Sequence, residues 1–103
     1  MLIRLTTDKR VLLEERDNFR AFKLVVEGRR EDLDPVRRAL AGTAELPDAD
    51  TAWVLEKALR QWPEVAQDTE WQAALTGMID KARSHGWIDE TRGAIKAHVE
   101  WSG

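Results

Sequence analysis

Cysteine is absent from this chain of 103 residues, so disulfides, thiolate nucleophiles and cysteine-ligated metal sites are excluded. Tyrosine is absent too, which removes one common general acid. The only serines are Ser84 and Ser102, and no Gly-x-Ser-x-Gly elbow surrounds either. Six glycines are scattered singly, and none opens a helix in the pattern that cradles a phosphate. No apolar run approaches the roughly 20 residues that a membrane helix needs, so no membrane association is expected. Met1–Leu5 is interrupted by charge at Arg4, too soon for a secretory leader, and a cytoplasmic protein is the expectation. No internal repeat or low-complexity tract is visible.

What is present is the material of a folded domain: 43% hydrophobic residues against 34% charged ones. The length fits a single domain over 1–103, able to bury roughly 65% of its unfolded surface without staples. The net charge of −3 hides an asymmetry. Through Gly42 there are ten basic and eight acidic side chains; from Thr43 onward there are six and eleven. Overall acidity makes a nucleic-acid partner an unfavoured reading, because phosphate backbones are bound by clustered Lys and Arg. Opposite charge on the two halves could orient two subunits against each other. Thirteen alanines, and eleven arginines to five lysines, point to a GC-rich bacterial source.

The period of the apolar residues sets the expected elements. Leu2–Leu5, Val11–Glu15 and Phe19–Glu27 read as strands, separated by Thr7-Asp8-Lys9 and Asp17-Asn18 turns. Phe22, Leu24 and Val26 alternate with Ala21, Lys23 and Val25, which makes the third strand central; a helix over Lys9–Asp17 is the rival. Asp34 is the expected N-cap of a helix ending at Gly42, with Pro35 at its first position and Val36, Ala39 and Leu40 on its buried side. Ala52, Leu55, Ala58, Leu59 and Trp62 fit one stripe of a helix capped by Asp48 or Asp50 and stopped by Pro63. On that wheel Trp53 points nearly opposite the stripe. The alternative is a strand over Thr51–Leu55 with Trp53 and Leu55 facing inward, and the helix is preferred.

The clearest pattern lies in 68–101. Trp71, Leu75, Met78, Ile79 and Ala82 share one face of a helix over Asp68–His85. Gly86 stands where a left-handed cap is wanted, with Trp87 folding back onto Ala82 as in a Schellman motif. From Gly93 the period becomes two, with Ile95, Ala97, Val99 and Trp101 opposite Lys96, His98 and Glu100. The expected fold is α+β: a mostly antiparallel sheet of three N-terminal strands plus the C-terminal strand, covered on one face by two or three helices.

Candidate chemistry is sparse. His85 falls near the C-terminus of the long helix, on the face of Trp71, and is a weak acid–base candidate. His98 and Glu100 share a strand face and could supply two metal ligands, but no third stands at recognisable spacing. No metal and no cofactor are expected. Glu14-Glu15, Glu31-Asp32 and Asp89-Glu90 are adjacent pairs with nothing to raise a carboxylate's pKa. Arg29 and Arg30 precede a helix and could meet an anion there. Five tryptophans are many for a chain with two phenylalanines. Trp62, Trp71, Trp87 and Trp101 each have a core face in this reading, and Trp53 is left as the interface candidate.

The order helix, Gly86-Trp87-Ile88-Asp89, turn, returning strand resembles the end of a winged-helix domain, over residues 51–101. That resemblance implies a DNA-binding regulator with the 68–85 helix as recognition helix. The helix departs from such a role in carrying Asp68, Glu70 and Asp80 against Lys81 and Arg83.

Together these features predict a non-catalytic interaction or small-ligand-binding module, forming a homodimer or meeting a protein partner. Its contacts would be apolar ones through Trp53, Trp71 and Trp87, with Arg29 and Arg30 as possible anion contacts and a small apolar ligand as one occupant. The runner-up is a small enzyme with a pocket between the 68–85 helix and the sheet, using His85.

Overall fold

A computed structural model describes all residues 1–103. Its strands are β1 (Leu2–Leu5), β2 (Val11–Glu14), β3 (Lys23–Val26), β4 (Ala44–Glu45), β5 (Thr51–Leu55), β6 (Ile88–Asp89) and β7 (Ala94–Trp101). Helices α1 (Leu33–Ala39), α2 (Glu56–Arg60) and α3 (Thr69–Ser84) connect them, α1 being entered through a 3₁₀ turn at Arg30–Asp32. One sheet, curled into a half-barrel, runs in the order β2-β1-β3-β7-β5-β4, with β6 pairing the start of β7.

The sheet corrects the expected one. It holds seven strands rather than four, and it is mixed: β1, β3 and β7 run parallel, while β2, β5 and β6 are antiparallel to their neighbours. The three N-terminal strands do form, and β3 is interior. Alternation fixes which face of a strand is buried but is silent on which strand lies beside it, so the parallel pairings left no mark in the pattern.

Rows across the sheet form the inner face. Ile3, Leu24 and Val99 lie side by side, as do Ala52 with Ala97 and Val54 with Ile95, all of them buried. Leu40, Leu59, Val65, Leu75 and Ile79 close over them from the helical side. On the opposite face, Lys96, His98 and Glu100 are exposed. Ion pairs Arg4–Glu14 at 2.9 Å and Lys23–Glu100 at 3.1 Å spread over that face beside Leu2 and Val25, their aliphatic stems covering apolar neighbours. Lys23–Glu100 and Arg30–Asp50 join the basic first part of the chain to the acidic second part, so the charge asymmetry is partly satisfied within one molecule.

The segment expected as a helix over 52–62 divides into β5 and the short α2. Asp48 decides this. Its carboxylate accepts the backbone N–H groups of Asp50 at 2.8 Å and Thr51 at 3.0 Å, a turn that launches a strand rather than a helix. Ala52 and Val54 then bury against β7, and Trp53 and Leu55 take the outer face, half-buried. The inward orientation of Trp53 that goes with a strand is therefore also reversed.

Helix α1 begins earlier than Asp34, with Leu33 as its first residue and Asp32 as N-cap. Pro35 falls at the third position, where its missing N–H is still among those without an intrahelical partner. Asp34 pairs with Arg37 instead of capping.

Helix α3 and its exit agree closely with the pattern. The Asp68 carboxylate accepts the Trp71 N–H at 3.0 Å, and Trp71, Leu75, Ile79 and Ala82 are buried. At the far end Trp87 N–H donates to the Ala82 carbonyl and Gly86 N–H to the Arg83 carbonyl, the two bonds of a Schellman motif, with Gly86 at φ +77°. Interior placement of β7, between β3 and β5, leaves it no free wing of the winged-helix kind.

Candidate functional site

β3 and β6 approach the same edge of β7 from opposite ends. β3 pairs with His98–Trp101 and β6 with Ala94 and Ile95, so no strand lies beside Lys96 and Ala97 on that side. Phe22 and Trp87, the residues just ahead of the two strands, flank the split. A cleft of about 870 Å³ opens there, within the range of roughly 300–1,000 Å³ common to small-molecule sites.

Three parts of the chain build its walls. From α3 come Met78, Lys81 and Ala82, followed by the C-cap His85; spacing of three and four places them on one side of the helix. From β7 come Ile95 and Ala97 on the inner face and Lys96 and His98 on the outer, with Asp50 and Thr51 alongside. The loop after β2 contributes Phe19, Arg20 and Phe22.

That loop is held firmly. The Met1 amine donates to the carbonyls of Asn18 at 2.6 Å and Ala21 at 2.8 Å, and burial pushes its pKa below the ordinary value. Trp71 Nε1 donates to the Arg16 carbonyl at 2.8 Å, and the Trp71 ring meets Phe19 with centroids 5.7 Å apart.

Trp87 is the large apolar side chain that the fold leaves exposed, at 47%. The core face expected for it does not exist: the Schellman turn brings its backbone onto Ala82 while the indole stays outside. There it stacks on His85, ring centroids 4.5 Å apart and planes 21° from parallel. With one face resting on the imidazole, the indole is a fixed platform on the cleft wall.

The charge of the cleft is opposite to that of the chain. Arg20, Lys81 and Lys96 line it and none is ion-paired, whereas Lys23, Arg30 and Arg83 nearby are paired with Glu100, Asp50 and Asp80 with Glu90. Asp50 is the single carboxylate of the lining, and the Arg30 guanidinium holds it at 2.6 Å. A second depression of about 440 Å³, over Glu56, Arg60 and Arg92, has no apolar lining, and its arginines are already paired.

The structure therefore brings together His85 and Trp87 of the residues singled out in the sequence, and disperses the others. Trp71 is 3% exposed and lies outside the lining, acting as a joint between α3 and the loop after β2. Trp53 sits on the outer face of β5, and Arg29 and Arg30 stand exposed at the 3₁₀ turn. No group of three or more His, Asp or Glu side chains is gathered that could hold a metal, and His98 and Glu100 have no third ligand. Sequence reasoning missed Phe19, Arg20, Phe22, Lys81 and Lys96. Lys81 was within reach, being four residues ahead of His85 on one helix, whereas the loop residues arrive through contacts that no local pattern records.

Chemically, the cleft offers an apolar floor, an aromatic platform and mobile cations. The ring of His85 meets Trp87 and no carboxylate orients it, and the Ser84 hydroxyl donates to the Lys81 carbonyl at 2.6 Å. No helix is long and apolar enough to cross a membrane. No protein-family model matches the chain, and neither a curated protein nor a solved structure does.

Proposed function

We propose that this domain is a non-catalytic module that binds a small ligand in the cleft at the split of the sheet, with an apolar group of the ligand on Trp87. The observation that carries the reading is the exposed indole itself. An apolar side chain of that size gains roughly 1.5–3 kcal/mol on full burial, and the fold forgoes most of it. A rigid capping motif holds the ring beside a cleft whose floor, Met78, Ala82, Ile95 and Ala97, is apolar as well. The same reading takes the domain to be cytoplasmic, which a cysteine-free chain supports.

The test is a fragment titration followed in ¹H–¹⁵N spectra, where each of the five indole N–H groups reports separately. Shifts concentrated at Trp87 and the amides of Met78 and Lys96, lost in Trp87→Ala, support the reading. Fragments that move only Trp53 or Trp62, or nothing, count against it.

A second reading rests on a separate observation. No helix covers the outer face of β5, where Trp53 and Leu55 are half-buried beside exposed Lys96. We propose that a second copy packs there, as a homodimer. Native mass spectrometry of the wild type and of Trp53→Ala decides it: a dimer that the substitution dissociates supports the contact, and a monomeric wild type removes it.

A further inference from the structure

We infer that the ligand of this cleft is a small planar aromatic anion, its ring on Trp87 and its acidic group among Arg20, Lys81 and Lys96. The inference rests on the small-ligand reading and adds the chemical class. Three features of the cleft select it. Counting only Lys, Arg, Asp and Glu, the lining carries three cations and one anion, in a chain that has 19 acidic and 16 basic residues. The one anion, Asp50, is already neutralised by Arg30, so nothing in the cleft is left to receive a cation. The platform is an indole whose one face is taken by His85, a geometry that accepts a flat ring on an aromatic surface at 4–5 Å rather than a bulky saturated body.

The polarity of the walls then orients the ligand. Apolar Met78, Ala82, Ile95 and Ala97 lie on the helix-covered side, while Lys96 and His98 lie on the open face of the sheet. The ring therefore goes under the split and the acidic group stays towards the open face. Exposed lysines bind a single anion weakly, because water competes and salt screens. Three converging cations over a low-dielectric floor do better, and about tenfold preference for an acid over its neutral isostere corresponds to roughly 1.4 kcal/mol.

The probes are 1-naphthoate, 1-naphthyl phosphate, neutral 1-naphthylmethanol and cationic 1-naphthylmethylammonium, titrated into the full chain and followed at the Trp87 indole N–H. The expected order is both acids at least about tenfold tighter than the alcohol, with the ammonium weakest. The Lys81→Gln/Lys96→Gln double variant, both positions being exposed, brings the acids to the level of the alcohol while the alcohol itself is unchanged. Added salt shrinks the preference in the wild type only. A carboxylate bound more tightly than the phosphate marks a carboxylic acid as the natural group, and the reverse marks a phosphate ester; either supports the inference. Alcohol and acids binding alike at Trp87 overturn the anion while leaving the cleft as a ligand site. Failure of all four probes to move Trp87 overturns both.

Discussion

Replacing Trp71 by Phe separates a structural tryptophan from a ligand-binding one. The indole N–H donates to the Arg16 carbonyl at 2.8 Å, a neutral bond with a net value of about 1 kcal/mol. Phenylalanine keeps the tilted contact with Phe19 but leaves out the pyrrole part of the ring system, at a position 3% exposed. Lost burial and an imperfectly closed void add about 1.5 kcal/mol. The expected total is about 2.5 kcal/mol, which for a domain of this size lowers Tm by roughly 10–20 °C. Urea unfolding followed by circular dichroism gives the free energy. Because Trp71 lies outside the lining of the cleft, 1-naphthoate affinity should stay within about twofold, less than 0.5 kcal/mol. A stability loss below about 0.5 kcal/mol would refute the reasoning, since that is the low end for the hydrogen bond alone. Unchanged stability with lost binding would return Trp71 to the ligand site.

Three further outcomes follow from the same geometry. The Thr6 hydroxyl, which donates to the Asp8 carboxylate, and after it the charge of Arg10 hold the Asp8 pKa below its usual value against a small cost of desolvation. The folded state then binds that proton less readily than the unfolded chain, so the contribution is present above the ordinary carboxylate range and is lost as pH falls through the depressed value. Asp8→Asn should weaken the protein at neutral pH and narrow its loss of stability towards about pH 2, measured by urea unfolding at both ends. Gly86→Ala places a Cβ with no atom within 4 Å but at φ +77°, so only backbone strain opposes it. A loss of about 1 kcal/mol is expected in the same assay, and no loss would deny the left-handed cap. Arg60→Met removes the bonds from Arg60 to Glu56 at 2.7 Å, the Gln72 side chain at 2.9 Å and Thr76 at 2.9 Å, which tie α2 to α3. About 1–2 kcal/mol and faster amide exchange over 56–72 are expected, with unchanged exchange counting against the tie.

Helix α3 and strand β7 were legible because each carries its period over many residues and ends at a residue with one strong conformational preference. Gly86 is the example: a single glycine at the end of an apolar stripe predicted both bonds that close the helix. Asp48 is the counterexample. An aspartate that accepts N–H groups two and three residues on looks the same in sequence whether the chain then turns into a helix or a strand, and only the burial of Ala52 and Val54 against β7 settles which. The candidate site was half legible for a related reason. His85 and Trp87 lie on or next to a periodic helix, whereas Phe19, Arg20 and Phe22 reach the cleft through a loop fixed by the Met1 amine and Trp71. Exposure of Trp87 was hidden because a Schellman motif specifies where the backbone goes, not where the side chain points.

β7 follows every other strand in the chain and yet lies between β3 and β5, with Lys23 and Thr51 both meeting His98 across its two edges. During synthesis the β2-β1-β3 and β5-β4 groups must therefore wait, each with an unsatisfied inner edge, until the last strand leaves the ribosome. Such late, long-range closure is slow, and open strand edges are where chains find wrong partners. The exposed basic and acidic side chains that alternate along β7, Lys96 and Glu100, then serve a second purpose: they mark one face of the final strand as outward before it has anything to lie against.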